Sequence, residues 1–508
     1  SDVEMPSLYA DPALVIDRDE VAEKLARVLP ELDEGDVRRL LADRTRRFVW
    51  LRRGLSPKLA QAVHDLGLPG LAFRRELKRA YPAGELAGHV IGGVNVDNRG
   101  LAGIERFLDD SGSIEPVHGA TLSGRAPLRT SLDLGAQHAL DEELKAAMRR
   151  YETKGAAGLV LDAVTGELVA AQSLPGADPT RVADLLDDAR QDKLSASVYE
   201  VGSIMKLATV AMALDGGQVT ADSVRDVRQP LQAGRFTIRD LHPAGRPLTV
   251  AEIFVRSSNV GSGMLALEAG PARQRAFLER LGLIAPIKTE AGPVAAPLLP
   301  AQWSTIETIT LSYGHGMALA PVQFAAAAAG LLNGGTRVTP TLLRKLPGEV
   351  AVGETVVSPE TSRVIRDLMR RNVTDPAGTG RRAAAQGYRV GGKTGTAELP
   401  AKGGYRDSAV ISSFLAAFPM DAPRYVVLVM LFEPKPTAAA QGRVTAGNNA
   451  APTAARVIER IAPILGVMPV GAPEPVDDGT TVVDPGHAPI EPVDAGVEGF
   501  DGSGGAKY

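Results

Sequence analysis

The residues best suited to chemistry lie in the stretch 199–217, where Ser203 precedes Lys206 by three positions. From residue 204 to residue 214 the sequence is apolar on every side except at Lys206, which predicts a buried helix. A lysine in a buried helix is costly unless it is paired or functional. At this spacing the lysine ammonium and the serine hydroxyl share one helix face and can meet.

A serine and a lysine in contact suit nucleophilic catalysis. A serine hydroxyl is a poor nucleophile until a base takes its proton, and a desolvated lysine can reach a pKa suited to that task. The helix N-terminus adds a positive end and free amides near the oxyanion that acyl transfer creates. We therefore predict that Ser203 is the nucleophile and Lys206 its base. The alternative is a lysine that extends from a helix end to the surface.

Two further motifs follow Ser203-x-x-Lys206, and each of the three occurs once in the chain. The S-x-N sequence at residues 257–259 begins 54 residues after Ser203, and the K-T-G sequence at residues 393–395 begins 190 residues after it. This order is the signature of the serine acyl-transferases that include penicillin-binding proteins and serine β-lactamases.

The S-x-N residues are predicted to form a second wall of the cleft. A Ser257 hydroxyl near Lys206 can relay a proton to the leaving amine, and the Asn259 amide can hold the substrate backbone. The alternative interpretation of this segment is an ordinary helix N-cap formed by Ser257 or Ser258.

The K-T-G segment is predicted to be a strand that binds an extended peptide. Gly395 lets a peptide approach the backbone closely, and such an edge can hold substrate by strand addition. Lys393 supplies positive charge, and Thr394 and Thr396 supply hydroxyls, for a terminal carboxylate. The alternative is an ordinary edge strand protected by its lysine.

Two other catalytic motifs are disfavoured by the sequence around them. Residues 387–394 match the phosphate-binding sequence G-x-x-x-x-G-K-T, but Gly395, Pro400 and further glycines prevent the helix that such a loop must open. A Ser-His-Asp site is disfavoured because no G-x-S-x-G elbow exists for His315 to serve. We expect His315 to be structural or to line the cleft.

The composition excludes several function classes. With 56 basic and 60 acidic residues and a net charge of −4, the chain has no basic field on the scale that nucleic acid requires. The absence of cysteine excludes a thiol nucleophile, a disulfide framework and cysteine-based metal sites. None of the seven histidines lies four residues from another. We therefore expect no metal and no cofactor.

A chain of 508 residues predicts two or more domains. We assign residues 1–125 to an accessory domain, 126–468 to the catalytic domain, and 469–508 to a disordered acidic tail rich in proline and glycine. In the catalytic domain a hairpin at residues 158–173 and three strands within residues 388–432 flank a helical insert, and a helix closes the domain at residues 450–465. This arrangement predicts an α+β fold with one mainly antiparallel sheet.

The sequence resembles the class B penicillin-binding proteins, most closely the division-specific peptidoglycan D,D-transpeptidase of Gram-negative, alphaproteobacterial type. The likeness in the catalytic domain is carried by GLVLDAVTGELVAAQSLP, SYGHGMALAPVQFAAAAAGLLNGG, GTGRRAAAQGYRVGGKTGTAELP and SFLAAFPMDAPRYVVLVML. SLYADP and HVIGGVNVDNRGLAGIE resemble the family's N-terminal pedestal, or dimerisation-type, domain.

The resemblance implies a reaction. Ser203 attacks the D-Ala-D-Ala carbonyl of a stem peptide while Lys206 takes its proton, and D-Ala leaves with the help of Ser257. A diaminopimelate amine from another strand then resolves the acyl-enzyme. The amides of Ser203 and Thr396 form the oxyanion hole, Lys393 and its neighbouring threonines hold the substrate carboxylate, and β-lactam antibiotics acylate the same serine.

The resemblance also implies partners and a location. The pedestal contacts a membrane glycan polymerase and other division proteins at the periplasmic face of the inner membrane. The single N-terminal anchor of the family is expected to be absent from this chain, since residues 1–4 are polar and acidic. The longest apolar runs, 324–332 and 426–432, are far short of a membrane span.

One departure from the family pattern precedes the nucleophile. Many members have proline before the Gly-Ser pair, whereas this chain has Val201, which frees one backbone angle and leaves every reactive group in place. The rival interpretations are a β-lactam sensor or β-lactamase of the same superfamily, and a catalytically idle division scaffold. No deacylating base can be assigned from the sequence, and the intact motifs argue against idleness.

Overall fold

The computed structural model describes residues 2–111, 128–234, 236–401 and 404–470, and the chain divides into two compact units. The first unit is Ser1–Gly84 with Val94–Arg99, and the second contains the rest. Residues 85–93 and 100–111, which the sequence assigned to the accessory domain, thus belong to the second unit. The predicted boundary at residue 125 and almost all of the predicted tail lie outside the described residues.

The first unit is a three-stranded antiparallel sheet with three helices, in the strand order β2-β1-β3. Its elements are β1 (Asp2–Ala10), α1 (Arg18–Val28), α2 (Glu34–Leu40), β2 (Val49–Arg52), α3 (Pro57–His64) and β3 (Leu71–Arg79). The helical period of residues 21–41 forms two helices because Pro30 cannot continue the first and Asp33 caps the second.

The second unit has longer helices and a larger sheet. Its helices are α4 (Gly88–Ile91), α5 (Gly103–Asp110), α6 (Leu134–Tyr151), α7 (Val182–Leu185), α8 (Lys206–Asp215), α9 (Val250–Val255), α10 (Asn259–Ala269), α11 (Pro271–Arg280), α12 (Thr305–Ser312), α13 (Pro321–Leu332), α14 (Pro359–Thr374) and α15 (Ala450–Ile464). Its strands are β4 (Gly155–Asp162), β5 (Leu168–Leu174), β6 (Tyr199–Glu200), β7 (Val224–Arg225), β8 (Leu231–Ala233), β9 (Phe236–Ile238), β10 (Leu248–Thr249), β11 (Lys288–Thr289), β12 (Gly292–Pro293), β13 (Ala318–Leu319), β14 (Gly391–Ala401), β15 (Gly404–Phe418) and β16 (Tyr425–Phe432).

The main sheet lies between two helical layers. Its order is β14-β15-β16-β4-β5, and every pairing is antiparallel. Along β4, Leu159 and Leu161 pack in the core that contains α8 and α13, whereas Ala156 and Val160 pack in the core that contains α6 and α15. Because both faces are covered, every residue of β16 is buried, which explains its unbroken apolar sequence.

The structure confirms the antiparallel sheet, the hairpin around Thr165-Gly166 and the closing helix. The apolar residues Leu128, Leu132 and Leu134 also suggest a strand at residues 128–134, but the structure has none there. There only Thr130 makes an isolated bridge, because the Asp133 side chain accepts from the Ala136 amide and begins α6 one residue after itself. Among the described residues, no helix has the length and apolarity needed to cross a membrane.

Candidate active site

Ser203 lies in a 3-10 turn, Gly202–Met205, that runs directly into α8. Gly202 has a φ of +55°, in the left-handed region that favours glycine. A Cβ there would come within 2.8 Å of the Thr396 carbonyl oxygen, so the turn packs closely against β14. The predicted nucleophile is therefore half-buried at the start of a buried helix, beside the K-T-G strand.

Lys206 is the first residue of α8, and its side chain is completely buried. Its Nζ lies 2.8 Å from Ser203 Oγ and 2.7 Å from Asn259 Oδ1. The same Nζ lies 2.9 Å from the Ser257 carbonyl oxygen and 3.1 Å from Ser257 Oγ. The alternative of a lysine extending to the surface is wrong, and the first two motifs meet at one nitrogen.

These contacts suit a base rather than a structural cation. A neutral lysine amine has two N–H groups and one lone pair. The Ser257 carbonyl and Asn259 Oδ1 can only accept hydrogen bonds, so together they occupy both N–H groups. The lone pair remains for the hydroxyl of Ser203, which is the arrangement that removes the serine proton as the oxygen attacks.

The electrostatics of the site favour that neutral form. Burial, and then the charge of Lys393, lower the pKa of Lys206 well below its usual range, while the charge of Asp240 acts in the opposite direction. Burial also lowers the pKa of Lys393 to about 7. Two buried lysines near one another thus keep Lys206 ready to accept a proton at neutral pH.

Ser257 connects the two lysines. Its Oγ lies 3.1 Å from Lys206 Nζ and 2.9 Å from Lys393 Nζ, which gives a proton a short path across the cleft. Its φ is +63°, uncommon for a residue with a side chain. Such backbone strain clusters at functional sites, and here it lets both the carbonyl and the hydroxyl of one serine face Lys206.

Lys393 and Thr394 lie on β14, the outermost strand of the sheet. The Lys393 side chain is completely buried, with its Nζ 5.8 Å from the centre of the Phe254 ring. Thr394 Oγ1 lies 2.7 Å from Thr379 Oγ1, which in turn donates to Asn372 Oδ1. Since Thr379 gives its proton to Asn372, Thr394 donates to Thr379, and its hydroxyl must turn away from Thr379 to donate to a carboxylate.

The backbone of β14 also meets the nucleophile turn. A Cβ on Gly395 would lie 2.7 Å from the Val201 carbonyl oxygen, so any side chain there would push the strand and turn apart. Thr396 is half-buried beside this contact, opposite Ser412 on β15. All eight predicted site residues therefore belong to one cleft, between the turn before α8, the segment before α10, and β14.

Asp240 is a site residue that the sequence analysis missed. Its carboxylate accepts a hydrogen bond from the Ser258 hydroxyl at 2.7 Å. It also accepts from two backbone N–H groups, that of Asn259 at 2.6 Å and that of Val260 at 2.9 Å. Ser258 is also the N-cap of α10, which confirms the helix-cap interpretation, while Ser257 and Asn259 on either side of it contact Lys206. Asp240 belongs to no motif, and only the fold brings it to the S-x-N residues.

Asp240→Asn is expected to slow acylation by penicillin about 10-fold and to move the acid limb of the pH–rate profile to lower pH. The sign follows because the Asp240 charge raises the pKa of Lys206. Without that charge, neutral Lys206 persists to lower pH but is a weaker base. The check is the second-order acylation rate constant measured with a fluorescent penicillin across roughly pH 5 to 10. An unchanged midpoint, or one at higher pH, would contradict this role.

The structure also shows what the two disfavoured motifs, the phosphate-binding sequence and His315, form instead. Gly391–Ala401 is a strand and no helix follows the G-x-x-x-x-G-K-T sequence, so a phosphate-binding loop is excluded. The His315 ring contacts the Glu200 carboxylate at 3.0 Å. Within the part of the chain that the structure describes, no group of three or more histidine and acidic residues is placed to hold a metal ion.

A lysine-activated serine, an S-x-N loop and a K-T-G edge strand on an antiparallel sheet define a serine acyl-transferase of the penicillin-interacting class. Residues 156–459 match the penicillin-binding protein transpeptidase domain, and residues 1–111 match the penicillin-binding protein dimerisation domain. The chain belongs to the class B penicillin-binding proteins.

The chain is similar to several peptidoglycan transpeptidases in sequence and in structure. The chain is 41% identical over 469 residues to the probable peptidoglycan D,D-transpeptidase FtsI of Caulobacter vibrioides, covering 91% of this chain and 78% of that protein. It is 28% identical to the peptidoglycan D,D-transpeptidase FtsI of Escherichia coli K12, covering 85% and 77%. The transpeptidase domain of Burkholderia pseudomallei penicillin-binding protein 3 superposes with a TM-score of 0.60 at 29% identity, covering 68% and 99%.

Proposed function

We propose that this chain is a peptidoglycan D,D-transpeptidase that cross-links stem peptides during septal wall synthesis and is inhibited by β-lactams. The observation that carries the proposal is the buried Lys206, whose Nζ lies 2.8 Å from Ser203 Oγ while its other contacts are acceptors or the Ser257 hydroxyl. The names of the FtsI relatives support both the reaction and its role in division.

The reaction proceeds through an ester on Ser203. Its Oγ bonds to the carbonyl carbon of the penultimate D-Ala, and its proton passes to Lys206. The tetrahedral intermediate collapses, the C–N bond breaks, and the terminal D-Ala leaves with a proton relayed from Lys206 through Ser257. The acceptor amine then attacks the ester, gives its proton to Lys206, and Ser203 regains a proton as the new amide is released.

The remaining residues bind and orient the donor peptide. Lys393 and the hydroxyls of Thr394 and Thr396 hold its terminal carboxylate, Gly395 admits the peptide to the strand edge, and Asn259 holds its backbone. The amides of Ser203 and Thr396 form the oxyanion hole, which the close packing of the turn against β14 supports.

The proposed cellular location and partners follow from the family. The proposed location is the periplasmic face of the inner membrane. The proposed partners are a membrane glycan polymerase and other division proteins, which contact the pedestal domain. The acceptor is the diaminopimelate amine of a neighbouring stem peptide. The net charge of −4 and the resulting lack of a strong basic field fit a protein with no nucleic-acid partner.

The test supplies a donor peptide ending in D-Ala-D-Ala together with a diaminopimelate-containing acceptor. Released D-Ala and cross-linked dimer are measured in the same reaction. Equal amounts of the two are expected, because each acyl-enzyme is resolved by an amine. Release of D-Ala without dimer at saturating acceptor indicates a hydrolase instead, and the absence of both products supports the idle scaffold.

A further inference from the structure

The Glu200 carboxylate joins the segment before the nucleophile to a distant loop. Its Oε2 accepts from His315 Nδ1 at 3.0 Å, and its Oε1 accepts from the Gly316 amide at 2.7 Å. A carboxylate only accepts hydrogen bonds, so Nδ1 must carry the proton that bridges the two side chains. The Glu200 side chain is only 15% exposed, whereas the His315 side chain is 33% exposed and Gly316 lies at the surface.

The backbones of these two segments are also packed together. Strand β6, which ends at Glu200, pairs with β13, so that Glu200 lies opposite Ala318. The Gly202 amide donates to the Gly314 carbonyl at 3.2 Å. A Cβ on Gly314 would lie only 2.0 Å from the Gly202 carbonyl oxygen, so the contact tolerates no side chain. The loop at residues 314–316 therefore packs directly against Gly202, the residue before Ser203.

The local sequence does not hold the turn rigid without this support. Val201 has a φ of −85° that no ring constrains, and the next residue is Gly202, the most permissive residue for backbone rotation. Both lie between Glu200 and Ser203. Small rotations at these two residues would move Ser203 Oγ relative to Lys206, and misplacement by about 1 Å at a reacting centre can cost on the order of 100-fold in rate.

We infer that Glu200 is a positioning residue for the nucleophile, and that His315 acts by orienting the Glu200 carboxylate. The inference rests on the proposed function. The carboxylate fixes the start of the 3-10 turn against residues 315–316, so that Ser203 meets both Lys206 and β14 in the reactive geometry. Neither side chain touches the reacting atoms, so their loss should affect the acylation step and leave binding of the antibiotic unchanged.

A double-mutant cycle on the full chain tests this. The noncovalent dissociation constant and the acylation rate constant for a penicillin are measured separately by stopped flow for Glu200→Ala, His315→Ala and the double variant. Glu200→Ala is expected to slow acylation by at least about 10-fold with a dissociation constant within about 3-fold of wild type. His315→Ala should slow it less. The double variant should match Glu200→Ala, because His315 acts through Glu200.

Two further variants separate positioning from general destabilisation. Glu200→Gln keeps an oxygen for the Gly316 amide and should recover most of the rate. Glu143→Ala removes a carboxylate of equal burial, 14% exposed, that pairs with Arg456 and Arg460 on the other side of the sheet, and it should acylate like wild type.

Three results would overturn the inference: an unchanged rate in Glu200→Ala, independent effects in the double variant, or a Glu143→Ala variant that is equally slow. A glutamine variant as slow as the alanine variant would also contradict positioning by hydrogen bonds. Failure of the wild-type protein to acylate at all would instead reject the proposed function, so the two failures are distinguishable.

Discussion

Replacing Ser203 with alanine is expected to abolish both acylation by penicillin and release of D-Ala from stem peptides, a loss on the order of 10⁶-fold. Lys206 Nζ contacts two hydroxyls, and only one of them can be the nucleophile. Ser203 lies at the start of α8, where the free amides and the positive helix end stabilise an oxyanion. Ser257 instead lies between the two lysines.

Ser257→Ala is the matched control for this prediction, since it removes the other hydroxyl near Lys206. It is expected to retain a penicillin adduct while forming it more slowly, by about 100-fold, because only proton relay is impaired. Gel fluorescence with a labelled penicillin distinguishes the two variants directly. Labelling of Ser203→Ala at the wild-type rate, or complete loss of labelling in Ser257→Ala alone, would reverse the assignment of the two serines.

Replacing Lys206 with methionine is expected to slow acylation by about 10²- to 10⁴-fold, the usual contribution of a general base. Methionine fills nearly the same buried volume but cannot take the Ser203 proton. The measurement is the acylation rate constant at saturating penicillin, with the melting temperature recorded to confirm that the variant is folded.

Lys193 offers a matched control for that substitution. It is also partly buried, and burial lowers its pKa, but it lies near Phe432 and not in the cleft. Lys193→Met should therefore acylate at the wild-type rate. If Lys206→Met stayed folded and retained the wild-type rate, Lys206 would not be the base, and the interpretation of its four contacts would be wrong.

The sequence predicted those parts of the site that depend on local spacing. Ser203 and Lys206 are three residues apart at the start of one helix, so helical geometry alone brings them into contact. The K-T-G segment was predicted to be a strand whose glycines admit a peptide, and the strand is confirmed as β14. The unbroken apolar run of β16 likewise predicted a strand, although only the fold shows that helices cover both of its faces.

The remaining parts depend on contacts between distant residues. Asp240 reaches Ser258 across 18 positions, and Glu200 reaches His315 across 115, with no motif to mark either contact. The lowered pKa of Lys206 also depends on the fold, because the charge of Lys393 reaches this helical residue from strand β14. Sequence spacing cannot supply these distances, since they are set by the packing of α8, α10 and β14 in three dimensions.

The most direct test of the central claim is the intact mass of the protein after incubation with excess penicillin, followed over time. We predict a gain of one penicillin mass that persists after the free antibiotic is removed, with the modified peptide containing Ser203. An adduct that forms and quickly disappears would indicate a β-lactamase. A protein of unchanged mass at every time point would contradict the acyl-enzyme mechanism for this chain.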